Sequence, residues 1–213
     1  MKVSRFIFNM FGVNCYVLWD PDTREAAIVD PGMADRAECD ALDDFLTRNK
    51  LHATQLIDTH MHLDHIFGNL YVKERYGLPV RAAKADEFLG LTLNDQAARF
   101  RLPVKAEDHG IDMELKDGDV LHVGGEELRV LAVPGHSPGS IALYAPGSGF
   151  VITGDALFAG SIGRTDLPGG DFATLIGSIR EKLMKLPPET VVLPGHGDET
   201  TIGRELKSNP YIR

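Results

Sequence analysis

The chain has 213 residues, of which 43% are hydrophobic and 25% charged, with 22 Lys+Arg against 31 Asp+Glu for a formal net charge of -9. That length can bury a full core. The acidic balance excludes a nucleic-acid backbone as the main partner, because no basic excess exists to displace counterions.

Short β-type runs open the chain: "KVSRFIF", "NCYVLW" and "EAAIVD". The apolar stretch "FIFNMFGVNCYVLW" is interrupted by Asn9 and Asn14 and lacks a small-residue cleavage pattern, so it reads as strands rather than an export signal. No window approaches 18 uninterrupted apolar residues, and no membrane span is expected. Cys15 and Cys39 share no CxxC spacing and read as reduced thiols of a cytoplasmic protein. In "ADRAECDALDDFLTRNK", Ala37, Ala41, Leu42, Phe45 and Leu46 fall on one helical face, and Asp35 stands where an N-cap belongs. "TQLIDT" is a short strand leading into "HMHLDH". "GNLYVKERYG" predicts a helix stopped at Gly77, before Pro79, and a second helical region covers part of 84–100. Residues 111–155 read as strands with turns at "KDGDV", "VGGEE" and "APGSGF". "FATLIGSIREKLMKL" predicts a helix ended by Pro187–Pro188, and "TVVLPG" a last strand. No low-complexity linker divides the chain, so one domain over 1–213 is expected.

An internal echo locates the chemistry. "LRVLAVPGH" (128–136) and "ETVVLPGH" (189–196) share one plan, an apolar run followed by Pro-Gly-His. "LIDTH", "FVITGD" and "AAIVDPG" likewise end in a polar side chain after a buried-strand run. Five strands therefore release a His or Asp at their C-terminal ends, as an α/β layered protein does when it builds a site along one sheet edge.

The densest cluster is "DTHMHLDHIFG" (58–68), which crowds His60, His62, Asp64 and His65 into six positions. His60 and His62 alternate and point similarly if the segment is extended. Asp64 and His65 fall where the chain turns into a helix and can address a second point. Two adjacent metal ions satisfy this arrangement. His60, His62 and His136 are assigned to the first, Asp64, His65 and His196 to the second, and Asp155 to both, because a carboxylate can bridge two cations. Imidazole and carboxylate ligands without cysteine suit zinc, iron or manganese. Open coordination positions let a shared water be acidified to a bridging hydroxide that attacks a carbonyl or phosphoryl centre. Asp64 and Asp155 are thus the expected catalytic carboxylates.

"THMHLDH" matches the HxHxDH signature of the metallo-β-lactamase superfamily, and "IVDPG", "PGHSPGS", "TGDALF" and "LPGHGDET" follow in that family's order. The resemblance covers nearly the whole chain and implies an αββα four-layer sandwich with a dinuclear site, most commonly zinc, at one edge. Asp30 and Asp58 would then hold the ligand loop without touching metal. "NCYV" and "GSIGRTDLPGGD" resemble the short bacterial glyoxalase II-like hydrolases, which implies hydrolysis of a small, hydroxyacylglutathione-like thioester. The longer glyoxalase II enzymes end in a helical domain that grips glutathione; 17 residues follow His196 here, and that domain is not expected. A related branch, the persulfide dioxygenases, would use one Fe(II) on His60, His136 and Asp155. A metal-holding module without catalysis is the non-enzymatic alternative. β-Lactam hydrolysis is less expected, because the dizinc β-lactamases commonly carry Cys or Ser where Asp155 stands.

Arg164, in "GSIGRTD", can bind a substrate carboxylate or pair with Asp166. Asn14 either lies near the site or terminates a strand. His52, His109 and His122 have no comparable context and read as surface or packing residues, and Gly160, Gly163, Gly169 and Gly170 as backbone turns. The substrate is expected to be a small molecule, with no nucleic-acid or membrane partner.

Overall fold

The computed structural model describes residues 1–102 and 107–212. The first half comprises β1 (Lys2–Phe8), β2 (Val13–Trp19), β3 (Glu25–Val29), α1 (Arg36–Arg48), β4 (His52–Ile57), α2 (Leu63–Ile66), α3 (Asn69–Tyr76) and β5 (Val80–Ala82). Two short helices follow, α4 (Glu87–Gly90) and α5 (Leu93–Arg99), then β6 (Met113–Glu114), β7 (Val120–Val123), β8 (Glu126–Ala132), β9 (Ile141–Ala145) and β10 (Phe150–Gly154). The chain finishes with β11 (Leu157–Phe158), β12 (Ser161–Ile162), α6 (Phe172–Ser178), β13 (Val191–Pro194), β14 (Thr200–Thr201) and α7 (Ile202–Ser208).

Twelve of the strands form two six-stranded sheets, ordered β1-β2-β3-β4-β5-β6 and β14-β13-β10-β9-β8-β7, and β11 pairs with β12 in a separate two-stranded sheet. Period-two alternation sorts their side chains into layers. On β2, Val13, Cys15, Val17 and Trp19 join Cys39, Leu42 and Leu46 of α1 and Val72 of α3 on one face. Tyr16 and Leu18 face the second sheet, where they meet Leu128, Val130, Leu143 and Ile152. On the far side of that sheet Ala142, Val151 and Val192 pack with Leu175 of α6 and Ile202 of α7. Helix, sheet, sheet and helix are thus stacked as four layers around three apolar cores, the αββα sandwich expected from the sequence.

Register places the strand-end polar residues. β3 and β4 run parallel with Val29 opposite Ile57, so Asp30 and Asp58 emerge side by side. β10 and β13 run parallel with Gly154 opposite Pro194, so Asp155 emerges beside the Gly195–His196 turn. The sheets are joined at this edge by Asn14 N donating to Gly195 O (2.7 Å) and Ile141 N to Thr59 O (2.8 Å).

Three expectations are corrected. On α1, capped as expected by Asp35 accepting from Glu38 N (3.0 Å), the buried stripe is Cys39, Leu42 and Leu46. Ala37 and Ala41 are exposed and Phe45 is half-buried; a methyl group loses little by facing water, and the larger side chains decide the helix's rotation. The helix expected to run to Pro187 is α-helical only to Ser178, then widens into a π-type turn over Ile179–Leu183. Leu175, Ile179 and Leu183 are all buried and spaced by four, and a wider turn keeps that spacing on one line. β13 is not the last element: β14 and α7 follow it, the helix capped by Thr201 accepting from Arg204 N. The helical region over 84–100 is divided into a 3-10 turn (Lys84–Asp86), α4 and α5, and Gly77 ends α3 in the left-handed conformation (φ 68).

Candidate metal centre

The loop after β4 does two things in nine residues. From Asp58 to His62 it runs extended out of the sheet; then Leu63 and Ile66, buried against Leu89, Leu93 and Ala97, wind the single turn of α2. This turn redirects Asp64 and His65 away from His60 and His62. Among the described residues, ligand-type atoms converge in three groups: His60–His62–His136, His60–His65–Asp155 and Asp64–His65–His196, all within 4.8 Å inside each group. The first and third groups are the two sets assigned from the sequence.

His62 Nδ1 lies 2.8 Å from His136 Nε2, and His196 Nε2 lies 3.2 Å from Asp64 Oδ2. Asp155 spans both groups. Its Oδ1 is 3.4 Å from His65 Nε2, and its Oδ2 is 3.6 Å from both His136 Nε2 and His196 Nε2. Tetrahedral nitrogen ligands around one zinc ion stand about 3.3 Å apart, which these separations bracket. His60 Nε2, His65 Nε2 and Asp155 Oδ1 are buried and make no hydrogen bond. Orphaned buried donors and acceptors are costly, and a cation that accepts their lone pairs removes the cost. The donor set therefore fits divalent metal ions.

The protonation states agree with that chemistry. Burial, then the charges of His65 and His136, hold the His60 imidazole well below its usual range, and His62 is pushed down to about 3 by burial and His136. Both rings are neutral and offer lone pairs. Burial opposes ionisation of Asp64 and Asp155, but the surrounding imidazoles together outweigh it, His65 foremost with His196 and, at Asp155, also His136, and keep both carboxyls below the usual range. Burial also opposes a proton on His65 and His196, yet the surrounding carboxylates raise both. A cation bound there competes with those protons.

A hydrogen-bonded frame fixes the ligands. Asp30, fully buried, accepts from Thr59 N and Thr59 Oγ1 (both 2.7 Å), and its Oδ2 lies 3.1 Å from His65 Nδ1. Asp58 accepts from Asn69 Nδ2 (2.7 Å), which also contacts His109 Nε2 (3.1 Å). His136 Nδ1 is anchored on the backbone carbonyl of Arg164 (2.7 Å), and Asn14 Nδ2 holds the His196 turn through Pro194 O and Gly197 O (both 2.9 Å).

Sequence reasoning missed two members of this frame. Asp86 is buried and accepts from Met61 N (3.2 Å), Ser137 Oγ (2.6 Å) and Gly139 N (2.5 Å), clasping the His62 and His136 loops together. Nothing in "KADEFLG" distinguishes it from a solvated acid. His109, read as a surface or packing residue, is buried beside Asn69. His52 and His122 are exposed, as expected. The turn glycines carry more than conformation: a Cβ on Gly195 would meet Asp155 Oδ1 at 2.2 Å and His65 Cε1 at 2.8 Å.

A cavity of about 720 Å³ opens onto His62, Asp64, His136, Asp155 and His196. Arg164 lines it, but its guanidinium is engaged by Asp166 through two contacts, Nε–Oδ1 (2.7 Å) and Nη2–Oδ2 (2.8 Å). Of the two roles open to Arg164 in the sequence, the ion pair is the one its side chain adopts. Among the described residues no helix is long and apolar enough to cross a membrane.

Comparison with known proteins adds an independent line. Residues 9–196 match the family model described as the metallo-beta-lactamase superfamily. A curated relative from Haemophilus influenzae, hydroxyacylglutathione hydrolase GloC, is 39% identical over 219 residues, spanning 100% of this chain and 98% of the relative. Among solved structures, the BLEG-1 B3 metallo-beta-lactamase superposes with a TM-score of 0.89 at 34% identity, covering 99% of both chains. TTHA1623 in a di-iron-bound form gives 0.84 at 33% identity, covering 99% of this chain and 100% of that one.

Proposed function

Given that the chain belongs to the metallo-beta-lactamase superfamily, we propose that it is a metal-dependent hydrolase that cleaves a small thioester of the hydroxyacylglutathione type. The observation that carries this reading is the pair of His/Asp groups joined by Asp155 at the floor of a substrate-sized cavity. The whole-length similarity to the Haemophilus hydrolase supports the choice of substrate class.

In this reading His60, His62 and His136 hold one cation, Asp64, His65 and His196 hold a second, and Asp155 faces both. Zinc is the metal proposed, with iron its nearest competitor in view of the di-iron neighbour and manganese a further candidate. Bound there, divalent cations supply Lewis acidity and bring the acidity of water to near neutral pH. The chain's own groups do the rest. Asp64 and Asp155, kept as carboxylates, orient the attacking water and take up its proton. The cavity walls hold the acyl group over these oxygens, Asp30 keeps the His65 imidazole from turning, and Asp86 holds the loops that carry His62 and His136. The thiolate leaves without a dedicated acid, since a thiol of pKa about 8–9 is a tolerable leaving group. We assign this work to one domain over 1–213 and, with both cysteines unpaired, to the cytoplasm.

The test is metal analysis of the purified protein together with hydrolysis of S-lactoylglutathione. Up to two metals per chain and measurable thioesterase activity are expected. An iron-only protein that consumes oxygen with glutathione persulfide and spares acylated thiols is a dioxygenase instead. Turnover of a β-lactam alone would follow the likeness to BLEG-1. Stoichiometric metal with no turnover on any of these leaves a metal-holding module.

A further inference from the structure

Two arginines line the cavity over the candidate metal centre, and they differ in one respect. Arg164 is neutralised by its bidentate contact with Asp166. Arg99, in the last turn of α5, is exposed and has no hydrogen bond or ion pair among the described residues. Asp95, one turn earlier on the same wall, is not within ion-pair distance of it. The surrounding wall is apolar: Phe88 of α4 and Phe100 just after α5 both line the cavity, at 42% and 47% exposure. Asp95 also lines this opening in a chain of net charge -9, and Arg99 is the exposed cation that this wall presents to an anionic group.

We propose that Arg99 is the specificity-determining cation of the site: it receives a carboxylate on the far, thiol-derived end of the substrate while Phe88 and Phe100 cover the intervening apolar chain. This rests on the thioesterase reading and narrows it to thioesters whose thiol carries an anionic group. The chemistry favours arginine in this position. Its planar fork can take a carboxylate through two parallel N–H bonds, and among the described residues no acid is paired with it. Exposed aromatic side chains lining the same cavity, Phe88 and Phe100, give the ligand's methylene groups a surface on which to leave water. The helical segment 87–100, connected through α2 to the ligand loop by Leu63, Ile66, Leu89 and Leu93, supplies this surface from within the sandwich itself.

The experiment compares steady-state kinetics of the metal-loaded wild type, R99Q and R99K on two esters. S-lactoylglutathione carries carboxylates on its thiol; S-lactoyl-N-acetylcysteamine has the same acyl group and thioester but no charge. R99Q is expected to raise KM for the glutathione ester about tenfold, with little change in kcat and none in KM for the uncharged ester, and R99K to recover part of the loss. Arg99 is exposed and makes no hydrogen bond or ion pair among the described residues, so the variants are expected to keep the fold, which their melting temperatures check. If the wild type turns over both esters and R99Q changes neither KM, or both equally, the assignment of Arg99 is overturned while the thioesterase reading stands. If the wild type turns over neither, that reading fails and takes the assignment with it.

Discussion

Asp155 shows how much one side chain carries here. Its two oxygens face three imidazoles, His65, His136 and His196, that come from three separate segments of the chain. Asp155→Ala is therefore expected to lose metal and to lower thioesterase activity by about a hundredfold or more, read from metal content and kcat/KM; unchanged turnover would remove Asp155 from the site. Gly195 tests the same point sterically. A methyl group there would stand 2.2 Å from Asp155 Oδ1, so Gly195→Ala should displace the carboxylate, costing activity and bound metal out of proportion to any fall in melting temperature. An active alanine variant with full metal would show that the carboxylate position is not critical. The convergence of these ligand-type side chains was readable residue by residue, because each follows a buried-strand run or sits in one short motif. Asp86 and His109 were not readable, since their roles come from contacts with segments 25 to 53 positions away.

Among the elements, α1 and α3 illustrate how outer helices are tied down beyond their apolar faces. Asp43 of α1 accepts from Tyr71 Oη (2.8 Å), Tyr76 Oη and Arg75 Nε (3.0 Å) of α3. Burial works against its ionisation, but the hydrogen bonds from Tyr76, Tyr71 and Arg75 outweigh it and lower its pKa below the ordinary 3.8. A carboxyl whose folded pKa is depressed contributes stability that is present above the unfolded value and lost as pH falls through the folded one. Asp43→Asn should therefore destabilise at neutral pH, with the difference from wild type shrinking as the pH drops below 3.8, seen in urea midpoints across that range. A difference independent of pH would mean that the ionised form plays no part. Element positions followed well from periodicity, with α1 the instructive exception. Its sequence offers two adjacent apolar stripes, and only contact with Val17 and Trp19 of the sheet chooses Cys39–Leu42–Leu46 over the one containing Ala37 and Ala41.

For the molecule as a whole, the site lies where the two sheets meet, and its ligands come from both. His60, His62, Asp64 and His65 follow the first sheet's β4; His136, Asp155 and His196 follow β8, β10 and β13 of the second. Metal held by these residues would therefore tie the halves of the sandwich together at one edge. Removing it with a chelator should lower the melting temperature by about 5–10 °C for each ion held at a hundredfold excess over its Kd, and re-adding zinc should restore it. A melting curve indifferent to chelation would show that the sheets hold this edge without help from metal.

The sequence by itself determined the layered α/β architecture, the strand ends that bear His and Asp, and the seven ligand-type residues that gather at one edge. These are local properties: alternation, turn chemistry and residue type are written in neighbouring positions. Only the tertiary structure decided which polar groups hold those residues in place, that Arg164 spends its charge on Asp166, and that Arg99 stands on the cavity wall without an ion pair among the described residues. Such outcomes depend on which segments meet in space, and pairing between distant segments leaves no periodic trace along the chain.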